Sequence, residues 1–148
     1  MRTIAELRRL LRRKGFRGAE VSGALAKLED LGYVDDSRYA STFIAFVAVS
    51  RAWGPARVRR ELASRGVPRD VIEAALKGAA VDGILSSANL DRAIAKHLRA
   101  HGVPVDRRGR DRLRAALRRQ GFALQDINRA VAALSAGGGP EEGAGEEA

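Results

Sequence analysis

Apolar residues recur four apart on both sides of a glycine at three places in the chain: LRRLLRRKGFRGAEVSGAL at 7–25, VRRELASRGVPRDVIEAAL at 58–76 and LRAALRRQGFALQDINRAV at 113–131. With Gly15, Gly66 and Gly121 as position zero, position −8 is Leu7, Val58 and Leu113, and −4 is Leu11, Leu62 and Leu117. Position +1 is Phe16, Val67 and Phe122, +6 is Val21, Ile72 and Ile127, and +10 is Leu25, Leu76 and Val131. Such a pattern predicts a helix, a left-handed glycine stop and a second helix. The glycines are 51 and then 55 residues apart, so each repeat holds more than this hairpin. A periodic helical array without a cluster of reactive side chains is a binding surface rather than a catalyst.

Punctuation along the chain places the remaining elements. Helices are predicted over 3–14 and 18–31, the second closed by Gly32 as its C′ residue. Asp35, Asp36 and Ser37 supply N-cap chemistry for a helix over 36–52. Gly54-Pro55 opens the next helix with proline at N1, where its missing N–H costs nothing, and that helix ends at Gly66. Pro68 opens another, with Asp70 in its first turn. Residues 78–83 (GAAVDG) read as a hinge, followed by helices over 84–100, 106–120 and 124–135. No segment alternates at period two, so the chain is predicted to be all-α, with units 1–33, 34–80 and 81–136. From 137 the sequence turns Gly-rich and acidic, a tail expected to be disordered. Tyr33 and Tyr39 are expected in the core, and Trp53 is expected to pack a helix junction.

Charge narrows the choice of partner. The 27 Lys+Arg exceed the 18 Asp+Glu, a net +9, and four of the acids (Glu141, Glu142, Glu146, Glu147) lie in the tail. Residues 1–136 therefore carry +13, a body drawn to nucleic acid, an acidic protein face or anionic lipid. The tail is expected to solubilise the chain; the alternative is that its glutamates fold back and compete with a polyanion for the same body. The absence of cysteine excludes disulfides and thiol catalysis and agrees with a cytoplasmic location. The longest apolar run, FIAFVAV at 43–49, falls far short of the roughly 20 residues that span a bilayer, and neither a signal peptide nor membrane association is expected.

Two ordered strings carry a family resemblance. GYVDDSRYA at 32–40 followed by GPARVRRELASRGV at 54–67 resembles the RecX family, bacterial regulators of the RecA recombinase, and RRQGFALQDINRAV at 118–131 resembles its last unit. The family motif positions are Gly32, Tyr33, Asp35, Asp36, Arg38, Tyr39, Gly54, Pro55, Glu61, Leu62 and Gly66, whose role is expected to be mainly structural. The resemblance implies three tandem three-helix units in an elongated, curved array. It also implies binding along the groove of the RecA–DNA filament by a monomer, with ATP hydrolysis, strand exchange and co-protease activity reduced. Two departures stand out: the chain begins at a helix that is normally the second of its unit, and 43–50 is more apolar than in the family.

The arginines are the residues expected to face the filament or non-specific DNA. Position −7 is arginine in all three copies (Arg8, Arg59, Arg114), beside the apolar stripe. Arg9, Arg13, Arg60 and Arg119 fall on the far face, and Arg107, Arg108, Arg110 and Arg112 form the densest cluster. Arg12, Lys14, Arg57, Arg65 and Arg118 complete the basic set. Guanidinium groups bind phosphates and carboxylates by paired hydrogen bonds. With no aromatics interleaved, this is a backbone or acidic-surface contact, not a base-stacking platform. Asp35-Asp36 is expected to cap a helix, with Arg38 pairing back to an aspartate, not to catalyse. His97 and His101 have chelating i,i+4 spacing but no third ligand, so a surface pair is expected. No nucleophile signature, phosphate loop, metal site or cofactor fingerprint is present. A non-enzymatic regulator is expected; the alternative is a module that binds DNA directly.

Overall fold

The computed structural model describes residues 1–137 as eight α-helices. They are α1 (Ile4–Arg13), α2 (Gly18–Asp30), α3 (Asp36–Arg51), α4 (Pro55–Ser64), α5 (Arg69–Val81), α6 (Ser87–His101), α7 (Arg107–Arg119) and α8 (Leu124–Ala136). The fold is an all-α helical repeat. The tail, with its four glutamates and the disorder expected of it, lies outside the described residues.

Gly15, Gly32, Gly66 and Gly121 all adopt positive φ, as their places at helix ends require. Pro55 stands at N1 of α4. Two boundaries move. GAAVDG is not a hinge along its length: α5 continues through Val81, because Ala79 is buried and its carbonyl still accepts from Ile84 N. Accordingly α6 begins at Ser87, after the turn at Gly83.

The helices pack in two complete three-helix groups and one pair. The α3–α5 group closes on Tyr39, Ile44, Val47, Val58, Leu62, Ile72 and Leu76. The α6–α8 group closes on Leu90, Ile94, Leu113, Leu117, Ile127 and Val131, with Ala52 from the end of α3 joining this second core. At the N-terminus α1 packs on α2 without a third helix. No residue of α1 is buried, Leu7 and Leu11 are only half-buried, and Phe16 is exposed. The repeat register is intact there, but there is less to bury against.

Adjacent groups are joined by one device used twice. The Gly66 turn sits on the start of α1, and the Gly121 turn on the start of α4. At the first junction Thr3, fully buried, caps α1 by accepting from Glu6 N (3.1 Å), and its hydroxyl donates to Arg65 O (2.7 Å). A methyl group on Gly66 would collide with Ala5 Cβ. At the second junction Gly54 N donates to Gln120 O (2.7 Å) and Ala56 N to Gly121 O (3.0 Å). A methyl group on Gly121 would collide with the Arg57 backbone. Thr3 and Gly54 both stand twelve residues before their own turn glycine. In α7 that position is Gly109, one turn inside a longer helix, where a methyl would press on Pro104 and on Asp106, the residue whose carboxylate caps α7.

Candidate functional site

Most of the motif residues build this scaffold. Asp35 caps α3 by accepting from Arg38 N (3.1 Å). Its neighbour does something else: Asp36 is buried and accepts from Ile4 N (3.0 Å), so it tethers the start of α1 instead of capping α3. Arg38 makes no ion pair among the described residues, because its backbone N–H, not its guanidinium, meets Asp35. Tyr39 is buried and its hydroxyl accepts from Arg65 Nη1 (2.9 Å), while Arg65 Nε donates to Glu61 (3.0 Å) and its guanidinium lies 5.1 Å from the Phe43 ring centre. Leu62 is wholly buried. Tyr33, expected in the core, is 77% exposed: it follows the Gly32 turn, where the chain leaves α2 and only Val34 turns inward. Trp53 is buried, with the Arg57 guanidinium 4.1 Å from its ring centre.

The arginines sort by what already holds them. At position −7, Arg59 makes a two-point pair with Glu73 (2.6 and 3.2 Å), and Arg114 holds Asp111 (2.9 Å). The hydrogen bond from Arg59 is the main cause that lowers the Glu73 carboxyl pKa. Arg8 is half-buried and has no acid partner among the described residues. Arg57 is held by Trp53 and by Gln120 Oε1 (2.7 Å), and Arg65 by Tyr39 and Glu61. Arg107 reaches Asp111 only at 3.9 Å and is 90% exposed. Arg110 is half-buried, and Arg12, Arg13, Lys14, Arg108 and Arg118 are exposed.

Position −6 is different. Arg9 and Arg60 are exposed, carry no ion pair among the described residues, and each lies over the turn of the following unit. A methyl on Gly66 would stand 3.4 Å from Arg9 Nη2, and Arg60 lines a cleft with Arg57, Arg119 and Gln120. Arg119 also lines a neighbouring cleft with Arg112, His97 and His101, whose rings are 4.5 Å apart. Burial, followed by the charges of His101, Arg119 and Arg112, lowers the His97 pKa. At the other end Arg9 shares a cleft with Arg2, Arg12 and Arg13. Glu6 lines the Arg9 cleft and Asp106 the His97 cleft, and among the arginines that lie against a turn of the following unit, Arg9 and Arg60 carry no ion pair among the described residues. Sequence periodicity pointed to −7 because arginine stands there in all three copies. Position −6 reads Arg9, Arg60, Ala115, and the exception falls in the α6–α8 unit.

No group of three or more His, Cys, Asp or Glu able to hold a metal occurs among the described residues, and no helix among them is long and apolar enough to cross a membrane.

A regulatory protein RecX of Halorhodospira halophila is 35% identical over 131 residues, spanning 88% of this chain and 78% of the relative. The chain belongs to the RecX family. A second regulatory protein RecX, from Pseudomonas fluorescens SBW25, is 35% identical over 124 residues, 84% of this chain and 77% of its own. A family model described as RecX, second three-helix domain, matches residues 35–76, which are α3 to α5 with the Asp35–Arg65 scaffold. The crystal structure of RecX from Lactobacillus salivarius has the same fold, with a TM-score of 0.77 at 20% identity over 92% of this chain and 87% of that one.

Proposed function

We propose that this RecX-family chain is a non-enzymatic regulator that binds along the RecA–DNA filament and reduces its ATP hydrolysis, strand exchange and co-protease activity. The observation that carries this reading is the rail of unpaired arginines at the seams, Arg9 at the first and Arg60 with Arg119 at the second. Guanidinium groups spaced by a rigid repeat suit a partner that is itself repetitive and acidic. The arginines at −7 contribute less, because Arg59 and Arg114 already hold acids.

The test is ATP hydrolysis by the cognate RecA on single-stranded DNA, titrated with this protein well below the amount that coats the DNA. Changing Arg60 and Arg119 together to alanine should raise the concentration for half-inhibition roughly tenfold, the loss expected for charge-assisted hydrogen bonds at a protein interface. Changing Arg8, Arg59 and Arg114 together should cost less. Inhibition only at lattice-coating amounts would favour direct DNA binding. That alternative also has a salt signature, a log–log slope of about −0.9 per contacted phosphate on duplex DNA.

A further inference from the structure

Both histidines of the chain meet at one place. His97 and His101 stand one turn apart on α6, with ring centres 4.5 Å apart, and line a cleft of about 530 Å³ against α7. The facing wall is Arg112, Ala115 and Arg119, a single stripe of α7 at i, i+3 and i+7. Ala115 is the −6 residue of its unit, where the earlier units carry Arg9 and Arg60, and its small side chain leaves the space between the two arginines open. None of the two histidines and two arginines holds a protein acid among the described residues. Asp106 is the acid that lines the cleft, and its Oδ1 already accepts from Gly109 N (2.7 Å).

The donor set selects the ligand. A carboxylate is planar and is satisfied from one side by a single guanidinium, as Glu73 is by Arg59. A group that accepts from imidazoles on one wall and guanidinium groups on the other needs oxygens pointing in several directions, and a tetrahedral phosphate has them. Charge favours the same ligand. Burial, then the charges of His101, Arg119 and Arg112, hold the His97 pKa below its ordinary value. An anion in the cleft offsets the like charges, so His97 gains a proton as the anion enters.

We propose that the α6–α7 cleft binds a phosphate group and takes up a proton on its histidine pair as it does so. A nucleic-acid strand and a free phosphate anion share this chemistry. The inference builds on the reading that the seam arginines face the RecA–DNA filament, since Arg119 lines both this cleft and the Arg60 cleft. It is tested by proton linkage without RecA, not by inhibition, so the two can fail separately. Histidine is the side chain whose ordinary pKa puts its charge change between about pH 5 and 8. Both histidines are here, so a linkage that disappears with them reports this cleft.

The experiment is fluorescence anisotropy of the full chain with a short labelled oligothymidylate at constant salt, from about pH 5.5 to 7.5. The phosphodiesters keep one charge across that range, so a change in affinity belongs to the protein. Affinity should rise as pH falls, by up to about tenfold per pH unit, the limit for one proton taken up. His97→Gln with His101→Gln should bind with one affinity across the range. Arg112→Ala should bind roughly tenfold more weakly and keep the pH dependence. In the unaltered chain near about pH 7, the imidazole ¹⁵N resonances of His97 should move toward the protonated position when the strand is added, a readout that needs no variant. Inorganic phosphate separates the two sources: the same movement at about 1 mM phosphate alone makes this a free-anion site, and a response to the strand only makes it a backbone site. A pH-independent affinity, an unchanged pH dependence in the double variant, or an equal His97 response to hexaglutamate, which would make the ligand an acidic protein segment, would overturn the proposal.

Discussion

Asp35 and Asp36 are chemically identical neighbours with different work. Asp35→Ala removes an exposed N-cap and should lower stability by about 1 kcal/mol. Asp36→Ala strands Ile4 N at a junction and should cost about 1–3 kcal/mol, with added loss of helicity in α1. Chemical denaturation with circular dichroism distinguishes the two. Sequence reasoning assigned capping to both, because the partner of Asp36 lies 32 residues away and no local rule reaches it. His97 makes a pH prediction. Its pKa is lowered in the folded state, so between that value and the unfolded value of about 6.5 the unfolded chain binds more protons. Stability should therefore fall as pH drops below about 6.5, and His97→Gln should flatten the dependence in melting curves. Asp106 is the acid that lines the same cleft.

At the scale of elements, the three turn glycines are alike in conformation but not in surroundings. Gly15 has φ +93° and nothing within 4 Å of an added methyl, whereas Gly121 has φ +95° and lies against Arg57. Gly15→Ala should cost only the strain of a left-handed residue, about 1–2 kcal/mol. Gly121→Ala should cost that plus the undocking of a junction, roughly 3 kcal/mol or more. The difference, read from paired urea titrations, measures the coupling between units. The helices were legible because glycine, proline and a 3.6-residue period mark their ends and faces. Which arginines remain free was not legible: Arg59 meets Glu73 from the next helix and Arg57 meets Gln120 from the next unit, and neither contact has a sequence period.

At the scale of the whole molecule, stability in a repeat array is a sum of unit terms and neighbour terms. The α3–α5 group has a neighbour on both sides, α6–α8 on one, and α1–α2 has one neighbour and an incomplete core of its own. Amide hydrogen exchange should therefore be slowest in α3 and α5, intermediate in α7 and α8, and fastest in α1. Uniform protection across all eight helices would mean that the junctions bind the array into one cooperative block.

The Pro104–Asp106 cap on α7 has a further meaning. The Gly66 and Gly121 turns each dock on a helix start while the Gly15 turn is bare, so an array of this type would grow if one copy seated its Gly15 turn on the start of α7 of another. The extra turn of α7, with Pro104 and Asp106 packed at Gly109, occupies the place where such a guest would sit. Such a cap would act as a stop against concatenation, an expectation that sedimentation checks by finding no head-to-tail polymers at high concentration.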